Sequence, residues 1–257
     1  MRLKDKAIIV TGGTSGIGAA IATAAIREGA KVLVHGINEE EGRATVERLG
    51  ANAVLCIADL NQDSAPQIIV KAALKAFGKI DGVVNNAAMF GGANIADQEI
   101  EHFRQMVQIN LTAPLFLIKA AFEELKKTGG CVLNIGSINA HAGESKLLAY
   151  SISKGGMQTM TRNLANANGV HGIRVNQINP GWVLTEREYR DKMAVGLKPS
   201  WPQDLTRVDI PSGTMTAPEQ MGEAAIYWLG DESKPFTGSV VDLEQFSIIG
   251  RNPEKLG

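Results

Sequence analysis

Short apolar runs alternate with longer stretches of helical periodicity along most of the chain. A short apolar run predicts a buried strand, and apolar side chains that recur every three or four residues predict a helix. The predicted strands are residues 7–10, 31–34, 53–57, 82–84, 131–135, 173–178 and 240–243. The predicted helices are residues 17–28, 39–49, 66–77, 100–127, 149–168 and 218–228.

The alternation of strands and helices also predicts how the chain is organised. Crossover connections through helices bring successive strands parallel and cover both faces of the sheet. We therefore predict an α/β fold of the Rossmann type, with a doubly wound sheet of about seven parallel strands and helices on both faces. Residues 182–216 lack a clear period and predict an irregular segment. Nothing in the sequence divides the chain, so we expect one domain over residues 1–257, with a substrate lid at about residues 182–217.

Composition and charge exclude several classes of protein. Hydrophobic residues make up 44% of the chain and charged residues 21%, which is ordinary for a globular protein. The 26 Lys and Arg residues balance 27 Asp and Glu residues, without the blocks of like charge that indicate nucleic acid or membrane binding. Because no signal-peptide core or membrane span is visible, we expect a cytoplasmic protein. Cys56 and Cys131 lie in apolar runs and are expected to be buried free thiols, and no metal site is predicted.

A glycine-rich turn follows the first predicted strand and leads directly into a helix. It has the sequence TGGTSGIG from Thr11 to Gly18, with the glycine spacing G-x-x-x-G-x-G. Glycines let the backbone turn tightly and approach a pyrophosphate, whose charge is met by the amides at the helix start. A glycine-rich surface turn is the alternative, but the position between strand and helix favours a phosphate site. The residues predicted to form that site are Gly12, Thr14, Ser15, Gly16, Ile17 and Gly18.

A tyrosine and a lysine lie four residues apart near the start of one predicted helix. Tyr150 and Lys154 therefore share a helix face, with Cβ atoms about 5–6 Å apart. A phenol with a pKa of about 10 is a poor base at neutral pH, and a nearby ammonium would lower that pKa. Ser137 follows the fifth predicted strand, and its hydroxyl would hold the substrate oxygen near the phenol. Each residue alone is commonplace, since such pairs occur on many helices and a serine after a strand is usually a turn residue or a cap.

Taken together, these motifs resemble the short-chain dehydrogenase/reductase family, and the resemblance extends over essentially the whole chain. The first turn is similar to its T-G-x-x-x-G-I-G motif. Asp59 and Leu60 stand where the family contacts the adenine ring. The segment Asn85-Asn86-Ala87-Ala88 resembles the family's N-N-A-G motif, with alanine in the last place. The segment Pro180–Thr185 resembles P-G-x-V-x-T, where Val183 and Thr185 would meet the nicotinamide carboxamide. The resemblance further implies cofactor contacts from Asn86, Ala87, Tyr150, Lys154, Pro180 and Gly181.

The same resemblance implies the catalytic set Asn110, Ser137, Tyr150 and Lys154. Tyr150 would accept the hydroxyl proton as hydride passes from the substrate carbon to the nicotinamide, and would return it in the reverse reaction. Lys154 would also bind the nicotinamide ribose. Asn110, a polar break in the long predicted helix, would hold a water that links Lys154 to solvent. The tetramers typical of the family imply a homotetramer here.

The sequence leaves the choice between NAD and NADP undecided. An acidic side chain at the end of the second strand binds the ribose hydroxyls of NAD, but position 36 is Gly36. NADP enzymes usually place Arg or Lys at position 37 or 15 to pair with the 2′-phosphate, whereas this chain has Ile37 and Ser15. Gly36 would leave room for a phosphate without supplying a charge.

Polar side chains on two segments bear on the substrate. The predicted lid is rich in charged residues, and the segment after Ser137 adds Asn139, His141 and Glu144. Polar groups on both sides favour a polyhydroxylated substrate such as a sugar or polyol, with Ser137 on its reacting oxygen and Trp182 against its ring. A solvated outer lid surface and a structural His141 are the alternatives.

Two other functions compete with a sugar or polyol dehydrogenase. A carbonyl reductase of 3-oxoacyl or steroid type would need large apolar side chains in the pocket. A non-catalytic NAD(P)H-binding regulator would have no need of Ser137, Tyr150 and Lys154.

The C-terminal segment departs from the family pattern. Residues 237–242 fit it, but the usual glycine pair that follows is replaced by Leu243-Glu244-Gln245. The apolar stretch at residues 246–251 predicts packing across a subunit interface, where Arg251 would reach a neighbouring active site.

Overall fold

A parallel sheet forms the middle layer of the protein, whose computed structural model describes residues 1–246. Its strands are β1 Ala7–Val10, β2 Lys31–Gly36, β3 Ala53–Ile57, β4 Gly82–Asn85, β5 Cys131–Ile135, β6 Arg174–Pro180 and β7 Val240–Leu243. Their order is β3-β2-β1-β4-β5-β6-β7, and every neighbouring pair is parallel. The predicted fold class is therefore confirmed.

Helices cover both faces of this sheet. They are α1 Gly16–Arg27, α2 Glu39–Leu49, α3 Ala65–Phe77, α4 Ile100–Val107, α5 Ala113–Thr128, α6 Leu148–Asn168, α7 Glu186–Ala194 and α8 Pro218–Leu229. Within residues 1–246, no helix has the length and apolar character needed to cross a membrane.

Two buried apolar clusters, one on each face, hold the helices to the sheet. On one face α1 and α8 pack over β1, β4 and β5, with Ile21 and Ile226 fully buried. On the other face α3 and α5 pack together, with Ile69 and Leu117 in the contact, and α6 joins them. The strands are apolar on both sides because both faces are covered. Cys56 and Cys131 are buried and free, as predicted.

The order of the strands places one crevice in the sheet. Chain order runs in opposite directions from β1 and β4, so their adjacent carboxyl ends form a switch point, which is where open α/β sheets bind ligands. The glycine turn after β1 and the segment after β4 meet there. Ser137 follows β5 at the same edge, and Pro180 ends β6. The topology alone thus brings the sequence motifs together.

The segment predicted to be irregular contains a helix, α7, so that prediction is wrong for residues 186–194. Thr185 caps the helix by accepting a hydrogen bond from the backbone of Glu188, 3.0 Å away. Acidic residues in the first turn and Lys192 in the last turn complement the helix dipole. The helix escaped detection because capping and charge stabilise it and it has no buried apolar stripe.

The long helix predicted for residues 100–127 is interrupted by one wider turn. Residues Gln108–Thr112 form a π-helix between α4 and α5, and Asn110 lies at its centre. The expected polar break at Asn110 therefore exists as a change of helical geometry. Such π turns are frequent at functional sites.

Candidate active site

A cleft of about 780 Å³ opens at the carboxyl ends of β1, β4, β5 and β6. Three of the predicted catalytic side chains line it together, namely Ser137, Tyr150 and Lys154. Predicted cofactor residues that also line it are Ile17, Asn86, Pro180, Gly181, Val183 and Thr185. The structure thus joins three predicted catalytic residues and six further predicted cofactor residues in one space, whereas Asn110 and the other predicted cofactor residues do not line this cleft.

The glycine turn is packed so closely that larger residues would not fit. A Cβ added at Gly18 would lie 2.0 Å from the backbone oxygen of Gly12. One added at Gly12 would lie 2.9 Å from Ala87 Cα, and Gly12 also has φ of +59°. Glycine is required here because the turn folds against α1 and against the segment after β4.

Hydrogen bonds from the segment after β4 fix the turn. Thr11 Oγ1 accepts from the backbone N–H groups of Asn86 and Ala87, at 3.0 and 3.1 Å. Asn86 Nδ2 donates to the backbone oxygens of Thr11 and Gly12. Ala88, in place of the family's glycine, causes no strain, since Asp5 is the only non-glycine residue with positive φ among the described residues.

His35 on β2 accepts a hydrogen bond from the glycine turn, and the sequence analysis did not predict this role. Its Nδ1 accepts from the Gly12 N–H at 3.3 Å, and its Nε2 lies 2.9 Å from the Ala58 oxygen. These contacts assign the ring proton to Nε2, which donates to Ala58. Burial lowers the pKa of His35, so the ring is neutral at physiological pH. The sequence feature that could have predicted this role is a histidine within an otherwise apolar strand, directly before Gly36.

The start of α1 fits an anionic group such as a pyrophosphate. No side chain caps its first turn, and the first turn contains no acidic residue. Its backbone amides are therefore available to a ligand, and the helix dipole favours negative charge there. Ser15 is exposed at this end, while Thr14 turns inward and covers β2.

At the predicted adenosine end of the cofactor site, Thr14 lies against Gly36. A Cβ at Gly36 would lie 2.5 Å from Thr14 Cγ2, so Thr14 occupies the space into which a side chain at position 36 would extend. Ile37, in contrast, is 73% exposed. Asp59 is exposed and Leu60 is buried after β3, where an adenine contact was predicted. Neither Gly36 nor Ile37 supplies a charge, so the structure leaves the choice between NAD and NADP open.

Tyr150 lies at the centre of the predicted catalytic group. Its ring packs edge-on against Phe90, with centroids 5.0 Å apart, and Ser137 lines the same cleft. Lys154 Nζ lies 5.7 Å from the centre of the Tyr150 ring and donates to the Ile135 oxygen at 2.7 Å. The pair shares a helix face, as its spacing predicts.

Burial affects both titratable groups strongly. It raises the pKa of the Tyr150 phenol, and the nearby Ser137 side chain opposes that rise. Burial also lowers the pKa of Lys154 to about 8. The ammonium donates to the Ile135 oxygen and lies over the Tyr150 ring, and the lowering of the phenol pKa by Lys154 stays a prediction.

Asn110 is fully buried next to α6, and none of its hydrogen bonds within residues 1–246 goes to Lys154. Its Oδ1 accepts from the Met89 N–H at 2.7 Å, and its Nδ2 donates to Ser153 Oγ at 3.1 Å. Ser153 Oγ in turn donates to the Tyr150 backbone oxygen at 2.7 Å. The Asn110 side chain therefore braces the first turn of α6, while the predicted water link stays a prediction.

The predicted substrate residues divide between two pockets. Asn139, Glu144 and Trp182 line the main cleft. His141 instead lines a neighbouring pocket, and its Nε2 lies 3.0 Å from Asp242 Oδ1. The structure does not bring His141 to the cleft wall, because its ring is paired with β7.

Ser137 is held by a polar side chain that sequence reasoning did not identify. Asn179 Oδ1 accepts from the Ser137 N–H at 3.1 Å and from Gln177 Nε2 at 2.7 Å. Asn179 Nδ2 donates to Asp242 Oδ1 at 2.9 Å. The loop after β5 is therefore tied to both β6 and β7.

The lid has its own aromatic packing. Trp182 stacks on Trp201, with ring centroids 5.8 Å apart, and Tyr189 lies on the same Trp201. Trp182 Nε1 donates to Glu188 at 2.8 Å, and Lys192 lies over the Trp182 ring. Because the ring of Trp182 already carries these contacts, its predicted stacking against a substrate ring stays a prediction.

The C-terminal segment predicted to pack across a subunit interface is described only at its first residue. Phe246 lines the cleft of its own chain, and residues 247–251 lie outside the described residues.

No group of three His, Cys, Asp or Glu side chains arranged to hold a metal ion occurs in residues 1–246.

The fold and the cleft define a class of dinucleotide-dependent oxidoreductases. An anion-binding turn lies at the switch point of the sheet, beside a set of Ser, Tyr and Lys side chains. The sequence model described as short chain dehydrogenase matches residues 6–193. The chain belongs to the short-chain dehydrogenase/reductase family and is an oxidoreductase acting on CH–OH donors.

Named relatives and a solved structure support this assignment along nearly the whole chain. The chain is 34% identical to L-fucose dehydrogenase of Mus musculus over 92% of its own length and 86% of that protein. It is 30% identical to trans-4-hydroxycyclohexanecarboxylate dehydrogenase of Sinomonas cyclohexanicum, covering 98% and 96% of the two chains. It is 36% identical to 2,5-dichloro-2,5-cyclohexadiene-1,4-diol dehydrogenase of Sphingobium indicum, covering 92% and 94%. A solved short chain dehydrogenase/reductase family protein superimposes with a TM-score of 0.81 at 29% identity, covering 94% and 97%.

Proposed function

We propose that the protein is an NAD(P)-dependent dehydrogenase of a sugar or cyclic polyol, with Tyr150 as the acid/base. The observation that carries the proposal is that Ser137, Tyr150 and Lys154 line one cleft, with the Lys154 ammonium beside the Tyr150 ring. A hydroxyl, its proton acceptor and a cation within one buried cleft are the groups that alcohol oxidation needs.

Each side chain has a distinct role in the proposed reaction. The cofactor, when bound, accepts or donates the hydride. Ser137 holds the substrate oxygen, and Tyr150 takes its proton. With a pKa of about 8, Lys154 is mostly charged at neutral pH, so its ammonium stabilises the phenolate electrostatically. The residues proposed to hold the cofactor are Gly12, Thr14, Ser15, Gly16, Ile17, Gly18, Gly36, Asp59, Leu60, Asn86, Ala87, Tyr150, Lys154, Pro180, Gly181, Val183 and Thr185.

The proposed substrate class is supported by the polar wall of the cleft. Asn139 and Glu144 line one side, and charged residues of α7 line the other. The names of three relatives describe enzymes of a sugar, a hydroxylated cyclohexane acid and a cyclohexadiene diol. We infer a ring that carries several hydroxyl groups.

The proposal is tested with a panel of sugars, cyclic polyols, acyl ketones and steroid ketones, each assayed with NAD and NADP by absorbance of the reduced cofactor. We expect turnover of sugars or polyols. Turnover of acyl or steroid ketones alone would contradict the substrate class and favour a carbonyl reductase.

Tyr150→Phe tests the role of the phenol. Because the variant keeps the ring against Phe90 but lacks the proton acceptor, we expect kcat to fall by about 10²–10⁴-fold. Binding of the reduced cofactor, followed by its fluorescence, is the control and should persist. Full turnover by the variant would refute Tyr150 as the base, and absence of turnover by the wild-type protein on every substrate would favour a binding regulator.

The predicted cytoplasmic homotetramer remains a prediction. Association of subunits is supported by apolar side chains exposed on α5 and α6, namely Leu115, Phe116 and Ile152.

A further inference from the structure

Glu244 places a carboxylate in the active-site cleft directly after β7. Its side chain folds back over Gly181, so closely that a Cβ at Gly181 would lie 1.9 Å from Glu244 Oε2. Glycine at position 181 is therefore what admits this carboxylate. Glu244 and Gly181 both line the same cleft as Tyr150.

Backbone amides hold both oxygens of this carboxylate. The Trp182 N–H donates to Oε2 at 3.2 Å, and the Gln245 N–H donates to Oε1 at 2.6 Å. These bonds fix the orientation of the group at the carboxyl end of β6. In the part of the chain that the structure describes, Glu244 forms no ion pair. Each oxygen keeps acceptor capacity, because a carboxylate offers about four lone-pair sites.

The other charges of the cleft indicate what kind of donor Glu244 would meet. Arg187 pairs with Asp191 at 3.6 Å, and Lys192 pairs with Glu188 at 3.7 Å. Lys146 and Lys154 line the cleft as well, and Lys154 Nζ donates to the Ile135 oxygen. Within residues 1–246 none of these four cations pairs with Glu244, so its carboxylate is open to a neutral hydroxyl of the substrate.

We propose that Glu244 is a specificity-determining residue that accepts a hydrogen bond from a second hydroxyl of the substrate, apart from the one that is oxidised. This inference rests on the proposed function, because the reacting hydroxyl is placed by Ser137 and Tyr150. Glu244 then selects polyhydroxylated rings over simple secondary alcohols. A partly enclosed carboxylate gains from such a donor because an unfilled acceptor is costly away from water.

The probes are cyclohexanol and the 1,2-, 1,3- and 1,4-cyclohexanediols, and the measured quantity is the ratio of kcat/KM for each diol to that for cyclohexanol. In the wild-type enzyme we expect at least one diol to be preferred. In Glu244→Ala we expect that ratio to fall by about 10- to 100-fold, as for loss of a hydrogen bond to a charged group. Glu47→Ala, which removes an exposed carboxylate from α2, is the matched control and should keep the wild-type ratio.

Glu244→Gln guards against misfolding of the alanine variant. It keeps the size and an acceptor oxygen but removes the charge, so we expect a smaller fall of about 3- to 10-fold, since charge-assisted bonds are roughly twice as strong. A ratio unchanged from wild type in the folded variants overturns the role of Glu244 and leaves the polyol dehydrogenase standing. A wild-type enzyme that turns over cyclohexanol without preferring any diol contradicts the proposed function itself. A preference of the wild type for aminocyclohexanols over the diols, lost in Glu244→Gln, also overturns the inference, since an ammonium would then be the donor.

Discussion

At the scale of single residues, the surroundings of Gly36 decide which cofactor changes the protein tolerates. Thr14 lies against Gly36, so an acidic side chain at position 36 would have to displace it. Ile37 instead points to solvent at the end of β2, where a longer side chain meets no obstacle. The sequence alone identified position 36 as one that bears on the choice between NAD and NADP. It did not show that Thr14 covers it, because this contact forms only when the turn folds over β2.

Ile37→Arg is expected to shift the enzyme toward NADP. An arginine there would give a 2′-phosphate a charge-assisted hydrogen bond, which is worth about 10-fold or more in affinity. The measurement is the ratio of kcat/KM with NADP to that with NAD. Ile68→Arg, at another exposed isoleucine on α3, is the matched control for an added positive charge. If both variants change the ratio equally, position 37 does not face the cofactor ribose.

At the scale of elements, two strands and a loop cooperate to place Ser137. Asn179 on β6 joins the Ser137 backbone to Asp242 on β7, and a Cβ at Gly136 would lie 2.0 Å from Asn179 Oδ1. The apolar runs of β5, β6 and β7 predicted that the strands exist and which motifs end them. They did not predict this cross-strand polar contact, because strand order and register arise from packing of the whole sheet. The helix α7 was missed for a related reason, since its cap and charges leave no apolar period.

Asn179→Ala is expected to lower kcat by about 10-fold, since the Ser137 N–H loses its acceptor in a buried position. Asn179→Asp should lower kcat as well, because its carboxylate would face that of Asp242. The double variant Asn179→Asp with Asp242→Asn reverses donor and acceptor and should restore kcat. Steady-state kinetics at saturating cofactor provide the measurement. A double variant no more active than Asn179→Asp alone would argue against a positioning role for this pair.

At the scale of the whole molecule, the buried Lys154 links catalysis to global stability. The side chain is 2% exposed, and burial lowers its pKa from 10.5 to about 8. Below pH 8 the ammonium is charged in both states, so folding carries the full cost of burying it. Between pH 8 and 10.5 the unfolded chain binds more protons than the folded one, and stability rises with pH. The cleft therefore retains its cation at a cost to the fold.

Lys154→Met removes this dependence. As pH rises from 8 to 10.5, we expect the wild-type protein to gain stability relative to the variant, by an amount on the order of 3 kcal/mol. Denaturant unfolding of both proteins across this range measures the difference. Lys126→Met, which removes an exposed ammonium on α5, gives the baseline for losing a lysine. A constant difference between wild type and Lys154→Met would show that Lys154 titrates alike in the folded and unfolded chains.

The π turn at Gln108–Thr112 also sets the phase between the helices on either side of it. One extra residue in a helix rotates everything beyond it by about 100°. The apolar stripe of α5 that packs on α3 is consequently out of step with the buried Met106 of α4, although the backbone is continuous. When this chain is aligned with its relatives, a single-residue gap placed across this turn therefore changes the orientation assigned to α5. It determines which side chains of that helix are assigned to the sheet and which to the solvent.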